Sequence, residues 1–266
     1  MKISVCGKGG SGKSVITTLL AKGLQDRGYE VVVIDSDESN SGLHRMLGFE
    51  DSPVPLLDLV GGKKEVKNVL PKTPLPLAEQ ETSVISRSQI SLSDIPRKHV
   101  ISNNGISLVS VGKILQALEG CACPMGVLGR EFLKKLQLTD NQLAVVDMEA
   151  GVEHFGRGVE SGIDTVVVVV DPSFESIQLA GKINAMASEI GIKSIFAVLN
   201  KVPSDEITVK LKEELSKQNV AVAGTIPHDS GILEAGLEGR PLQSSETLVE
   251  TDLIIDVLLP RSVRLT

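Results

Sequence analysis

Residues 7–14 read Gly7-Lys8-Gly9-Gly10-Ser11-Gly12-Lys13-Ser14, directly after the apolar run Lys2–Cys6 and at the start of a helical-period stretch, Lys13–Arg27. A turn this rich in glycine gives up backbone entropy on folding, so a ligand-free turn is a poor explanation of it. Two templates fit. As G-x-G-x-x-G, carried by Gly7, Gly9 and Gly12, it is a dinucleotide fingerprint, with Asp35 closing the second strand where a ribose-binding acid would stand. As G-x-x-x-x-G-K-[ST] it is a P-loop: backbone amides of Gly9, Gly10, Ser11 and Gly12 cradle phosphates, Lys13 neutralises β/γ oxygens and Ser14 holds Mg²⁺. A dinucleotide site relies on bare backbone and a helix N-terminus, and has no use for Lys13-Ser14. The P-loop is the better reading.

The rest of the chain alternates in the way such a loop requires. Strand candidates are Lys2–Cys6, Glu30–Asp35, Ser107–Val111, Leu143–Asp147, Thr165–Val170, Ser194–Asn200 and Ala221–Ile226. Most are apolar on both faces, as strands buried between two helical layers are. Helical stretches at Lys13–Arg27, Leu128–Gln137, Phe174–Ile190 and Ser204–Gln218 separate them. The expected fold is therefore α/β: one domain over 1–266, a mostly parallel sheet of about seven strands with helices on both faces. Ligands in such sheets sit beyond the carboxyl ends of the strands. Residues 51–105 hold six of the twelve prolines and little periodicity, and are expected to form an irregular insertion or lid.

Composition narrows the function. A net charge of −7 argues against binding nucleic acid through overall charge, and 2% aromatics argue against a base-stacking platform. The longest aliphatic run, Val166–Val170, is far too short to cross a bilayer. Three cysteines in a chain of this length do not make a disulfide scaffold, and the odd count points to a reducing compartment; no signal-peptide pattern opens the chain. A cytoplasmic protein is expected.

Two of those cysteines stand in Gly120-Cys121-Ala122-Cys123-Pro124-Met125-Gly126. An extended backbone would put both sulfurs on one side, a poor spacing for a disulfide and a good one for sharing a soft metal ion. The glycines and Pro124 read as an exposed turn, not as core. One chain offers two thiolates where four are usual, so a two-fold dimer would complete the set around one ion. Cys6, under the P-loop, reads as a small buried residue. His44, His99 and His228 show no ligand spacing, and His154 with Glu153 reads as part of a loop before it reads as a metal relay.

With Lys8 inside it, the loop resembles the deviant Walker A motif of the MinD/ParA/nitrogenase-iron-protein superfamily of dimeric ATPases. That resemblance implies that Lys8 reaches the nucleotide of a second subunit, much as an arginine finger does. It implies that Asp37 positions the attacking water, that Asp147 ends a Walker B strand and holds Mg²⁺ through water, and that the Gly151 amide senses the γ-phosphate. Asn200-Lys201 and Pro227 match the adenine-reading step and the loop closing over the base. Stretches 5–14, 119–124 and 147–158 are similar, more narrowly, to the CooC-type ATPases that mature nickel enzymes. This implies Ni²⁺ at Cys121 and Cys123, an ATP/ADP-driven homodimer, and nickel-dependent carbon monoxide dehydrogenase as client. Val15 departs from the superfamily, where a second Thr or Ser is common.

Rival readings have their own signatures. A MinD-type membrane ATPase carries a basic amphipathic C-terminal helix, whereas residues 253–261 are nearly all apolar and read as a core-packing helix ended by Pro260. A ParA-type ATPase needs a basic DNA-binding face. An iron–sulfur reductase like the nitrogenase iron protein draws its cysteines from separate loops. Zn²⁺ suits the same thiolates as nickel.

Overall fold

A computed structural model describes residues 1–69, 83–114, 123–156, 158–243 and 245–259. Alternating apolar residues decide the architecture. In β1 (Lys2–Gly7) Ile3 and Val5 face one helical layer and Cys6 the other; in β5 (Gln142–Asp147) Leu143 and Val145 oppose Ala144 and Val146. Every residue of β6 (Thr165–Val170) is buried. Strands apolar on both faces must lie between two helical layers, and they do.

Among the described residues one sheet of eight strands results, in the order β3-β4-β2-β5-β1-β6-β7-β8. Its remaining members are β2 (Glu30–Asp35), β3 (Ile101–Asn103), β4 (Ile106–Ser110), β7 (Ser194–Val202) and β8 (Ala221–Pro227). All pairings are parallel except β3 with β4. Helices α1 (Lys13–Asp26) and α2 (Leu43–Leu47) cover one face. The other face carries α3 (Leu56–Leu59), α4 (Gly62–Val69), α5 (Cys123–Lys135) and, beyond the short α6 (Glu153–Gly156), α7 (Phe174–Glu189) and α8 (Asp205–Lys217). Two more helices, α9 (Ser230–Glu238) and α10 (Ser245–Leu258), end the described chain.

The seven predicted strands are present, and β3 is an eighth. It forms a hairpin with β4 through Asn104 (φ 46°) and Gly105 (φ 78°), both left-handed, the conformation an Asn-Gly two-residue turn favours. Residues 51–105 are thus less irregular than expected. They carry α3, α4, two 3-10 turns and β3, and Leu56, Leu57, Val66, Ile90 and Ile95 join the main core. Residues 70–82 of that stretch lie outside the described residues. Helix α10 packs inward through Ile254, Ile255 and Leu258, while Val249, Leu253 and Val257 face solvent. No helix among the described residues is long and apolar enough to cross a membrane.

Candidate nucleotide site

The parallel register brings the carboxyl ends of β1, β2, β5 and β7 to one edge, with Asp35 directly opposite Asp147 and Val5 opposite Asp147. The loop after β1 runs from Gly7 into α1, whose first turn has the unsatisfied amides that bind phosphate. Gly12 caps α1 at φ 97° with no side-chain cap, and a Cβ there would stand 2.2 Å from Asn200 Nδ2, so glycine is required twice over. Lys13 is buried, and the buried Ser11 hydroxyl finds no partner among the described residues. From β7, Asn200 Nδ2 donates to Ser11 O at 2.8 Å and Lys201 Nζ to Gly10 O at 2.8 Å. Gly12, Val15, Asn200, Lys201, Pro227 and Ile232 help to line a mostly apolar cavity of about 330 Å³ beside the loop. A flat heterocycle with a few polar edges suits such a cavity. Here Asn200-Lys201 and Pro227, predicted from two separate segments, come together.

On the other side of the loop are hard oxygens. Ser14 Oγ donates to Asp147 Oδ2 at 2.6 Å, and Asn40 Nδ2 donates to Ser14 Oγ at 2.6 Å. Burial pushes the Asp147 carboxyl up to about 6, against the hydrogen bond from Ser14 and the charge of Lys13. Burial likewise takes Asp35 to about 7, against Lys113 and with the help of the Asp147 charge. The buried Asp147 carboxylate beside the Ser14 hydroxyl forms a donor set that fits Mg²⁺. Asp37 is buried too, its Oδ1 accepting from the Ser39 amide (2.9 Å) and hydroxyl (2.6 Å). The Lys113 ammonium meets the Asp35 carboxylate at 2.7 Å and the Asp37 carbonyl at 2.5 Å, and it bonds the Asn40 carbonyl. Sequence reasoning missed both Asn40 and Lys113, because neither belongs to a motif of fixed spacing.

Lys8 lies in the loop as predicted, but its ammonium points at its own chain: 3.0 Å to Ser173 Oγ and 3.5 Å to the Asp171 carboxylate. Burial raises the Asp171 carboxyl, but hydrogen bonds from Ser173 and Ser176 and the charge of Lys8 hold it below its ordinary value. Gly151 donates its amide to Gly7 O at 3.2 Å. The loop continues through His154, whose ring bonds Gly151 O at 3.2 Å and the Glu160 carboxylate. Glu160 belongs to a 3-10 turn, Val159–Gly162, that packs on α5; a Cβ on Gly162 would lie 3.0 Å from Leu133 O. His154 is therefore held by the loop and its neighbouring turn.

The cysteine segment differs from its expected geometry. Cys123 is the first residue of α5, exposed, with Pro124 in the first helical turn, where proline's missing N–H costs nothing. Strand alternation therefore does not describe Cys123, and Pro124 and Gly126, read as an exposed turn, are buried in the first turn of a helix. A helix N-terminus favours negative charge, which suits a ligating thiolate. Cys121 lies outside the described residues. Cys6 is fully buried, donating weakly to Val167 O at 3.6 Å, and burial pushes its thiol well up.

Such a loop, hard-oxygen cluster and adjoining cavity define a P-loop nucleotide site. Residues 3–242 match the CobQ/CobB/MinD/ParA nucleotide binding domain, and the chain belongs to that family and is an ATPase. An uncharacterized ATP-binding protein of Methanocaldococcus jannaschii is 42% identical over 258 residues, covering 97% of this chain and 99% of the relative. The carbon monoxide dehydrogenase accessory protein CooC of Rhodospirillum rubrum is 32% identical over 243 residues, covering 90% of this chain and 88% of CooC. Among solved structures, the Pyrococcus furiosus cell division ATPase MinD superposes with a TM-score of 0.67 at 21% identity, covering 97% of this chain and 99% of MinD, and shares the fold.

Proposed function

We propose that this ATPase is a nickel metallochaperone: a homodimer that carries Ni²⁺ between the paired Cys121 and Cys123 of its two subunits and delivers it to nickel-dependent carbon monoxide dehydrogenase. The observation that carries this reading is the sequence Cys121-Ala122-Cys123-Pro124, of which Cys123 opens α5, in a chain 32% identical to a protein named as a carbon monoxide dehydrogenase accessory protein. Four thiolates from two chains satisfy a tetrahedral soft-metal site that one chain cannot fill. Zn²⁺ competes for the same donors.

The nucleotide chemistry follows from the residues around the P-loop. The amides of Gly9 to Ser14 and the Lys13 ammonium hold and neutralise the ATP phosphates, and Asn200, Lys201 and Pro227 take the base. Ser14 and Asp147 would hold Mg²⁺, which when bound supplies further positive charge on the β- and γ-phosphates. Asp37 orients the attacking water. Lys8, released from Asp171 and Ser173, reaches the nucleotide of the partner subunit and stabilises the charge that develops on the transferred phosphoryl group.

Coupling runs through contacts already in place. When the Gly151 amide turns from Gly7 O to a γ-phosphate, His154 and Glu160 carry the displacement to the turn Val159–Gly162, and that turn bears on α5. Since α5 begins at Cys123, hydrolysis loosens the thiolate site and releases the metal. Nickel-loaded protein mixed with nickel-free carbon monoxide dehydrogenase is expected to restore CO oxidation with ATP and not with ADP. Equal activation by both nucleotides, or none, contradicts the delivery step.

A further inference from the structure

Three acceptors converge on the Lys113 ammonium, which stands just past the end of β4. One is the Asp35 carboxylate, at 2.7 and 2.8 Å; the others are the backbone carbonyls of Asp37, at 2.5 Å, and of Asn40. An ammonium has three N–H donors, so this one is fully used. Its side chain is only 12% exposed. A lysine present only to neutralise Asp35 would need one of these bonds. The other two go to the two residues whose side chains enter the phosphate end of the sheet.

We infer that Lys113 is a positioning residue for ATP hydrolysis, clamping the 36–42 loop by two backbone carbonyls so that the Asp37 carboxylate and the Asn40 amide stay in place. Within the loop the bonds are local: Ser39 to Asp37 Oδ1, and the Gly42 amide to Asn40 Oδ1 at 2.9 Å. Backbone ties hold its start and its middle, from Val111 N to Asp35 O, from Ser36 N to Asp147 O and from Ile114 N to Glu38 O, but none is made to Asp37 or Asn40 itself. Asn40 extends the chain of contacts to Ser14 Oγ at 2.6 Å and to Asp147 at 3.5 Å. Lys113 touches no reacting atom and acts through these two neighbours. The inference rests on the reading that Asp37 orients the attacking water.

Removing Lys113 alone would strand a buried carboxylate, whereas removing both charges of a buried pair often leaves stability unchanged. The variant to measure is therefore Asp35→Asn/Lys113→Met, compared with Asp35→Asn. Because a displacement of about 1 Å can cost about 10²-fold in rate, the double variant is expected to show kcat at least about tenfold below Asp35→Asn, with KM for ATP within about threefold. Lys113→Arg keeps the charge, but a planar fork does not meet three acceptors set around an ammonium, and the same kcat loss is expected. Turnover in the double variant equal to that of Asp35→Asn, or wild-type turnover in Lys113→Arg, overturns the assignment and leaves Lys113 a counter-ion. Asp37→Ala separates the two ideas. An active Asp37→Ala sinks the water-orienting role; an inactive one beside a fully active double variant sinks only the role of Lys113.

Discussion

Lys8 and Asp171 form an ion pair of 3.5 Å within one chain, so the lysine proposed to serve a second subunit is held at home when no second subunit is present. About a third of the Lys8 side chain is exposed, and such a pair is worth roughly 0–1 kcal/mol, cheap to break on dimerisation. Asp171→Ala is therefore expected to lower the protein concentration needed for ATP-dependent dimerisation by no more than about fivefold. Lys8→Ala should retain ATP binding and lose both dimerisation and turnover. Sedimentation velocity with and without ATP reads the dimerisation of both variants, and phosphate release reads turnover. A Lys8→Ala protein with normal turnover removes the role in trans.

Asp147 receives hydrogen bonds from Ser14 (2.6 Å) and Thr17 (3.4 Å) at full burial. Asp147→Asn is expected to abolish the gain in ATP affinity that Mg²⁺ brings and to reduce phosphate release by about 10²-fold or more. Titrating ATP with and without Mg²⁺ tests the first effect. An unchanged Mg²⁺ effect places the metal elsewhere.

Asp35 at about 7 and Asp147 at about 6 both lie above the ordinary carboxylate value of about 3.9. Between about pH 4 and 7 the folded chain then holds more protons than the unfolded one, so these groups make stability fall as pH rises through that window. In nucleotide-free protein without Mg²⁺, the fall in Tm from pH 5 to pH 7.5 should be smaller in Asp35→Asn than in wild type. Identical slopes would show that Asp35 carries no such effect.

Glu160 and His154 join the Gly151 loop to the turn on α5. Glu160→Gln keeps the shape of the side chain and removes its charge. It is expected to leave ATP affinity within about threefold while abolishing the difference in nickel affinity between ATP and ADP states, since exchanging the carboxylate of a buried hydrogen bond for a neutral amide weakens the link it forms. Paired nickel titrations in the two nucleotides check this. A retained difference means that coupling takes another route.

How legible these features are in the sequence depends on their range. The P-loop is local, and its glycines, Lys13 and Ser14 carry their meaning in eight consecutive residues. The strands declare themselves because burial on two faces forces unbroken Val and Ile. β3 had a signal too, Asn104-Gly105, masked by the proline content of the stretch before it. The start of α5 was hidden because Pro124 and Gly126 are turn residues elsewhere, although proline also opens helices. Lys113 had no sequence signal at all. Its partners, Asp35 to Asn40, lie more than 70 residues away and meet it only when β4 pairs with β2.

The proposed metal site comes down to one stoichiometry. Titrating nickel into the nucleotide-bound protein under anaerobic conditions, with molar mass followed by light scattering, is expected to saturate at one ion for every two chains, with both the binding and the metal-induced gain in mass lost in Cys121→Ser/Cys123→Ser. One ion per monomer, or unchanged binding in the serine variant, would contradict it.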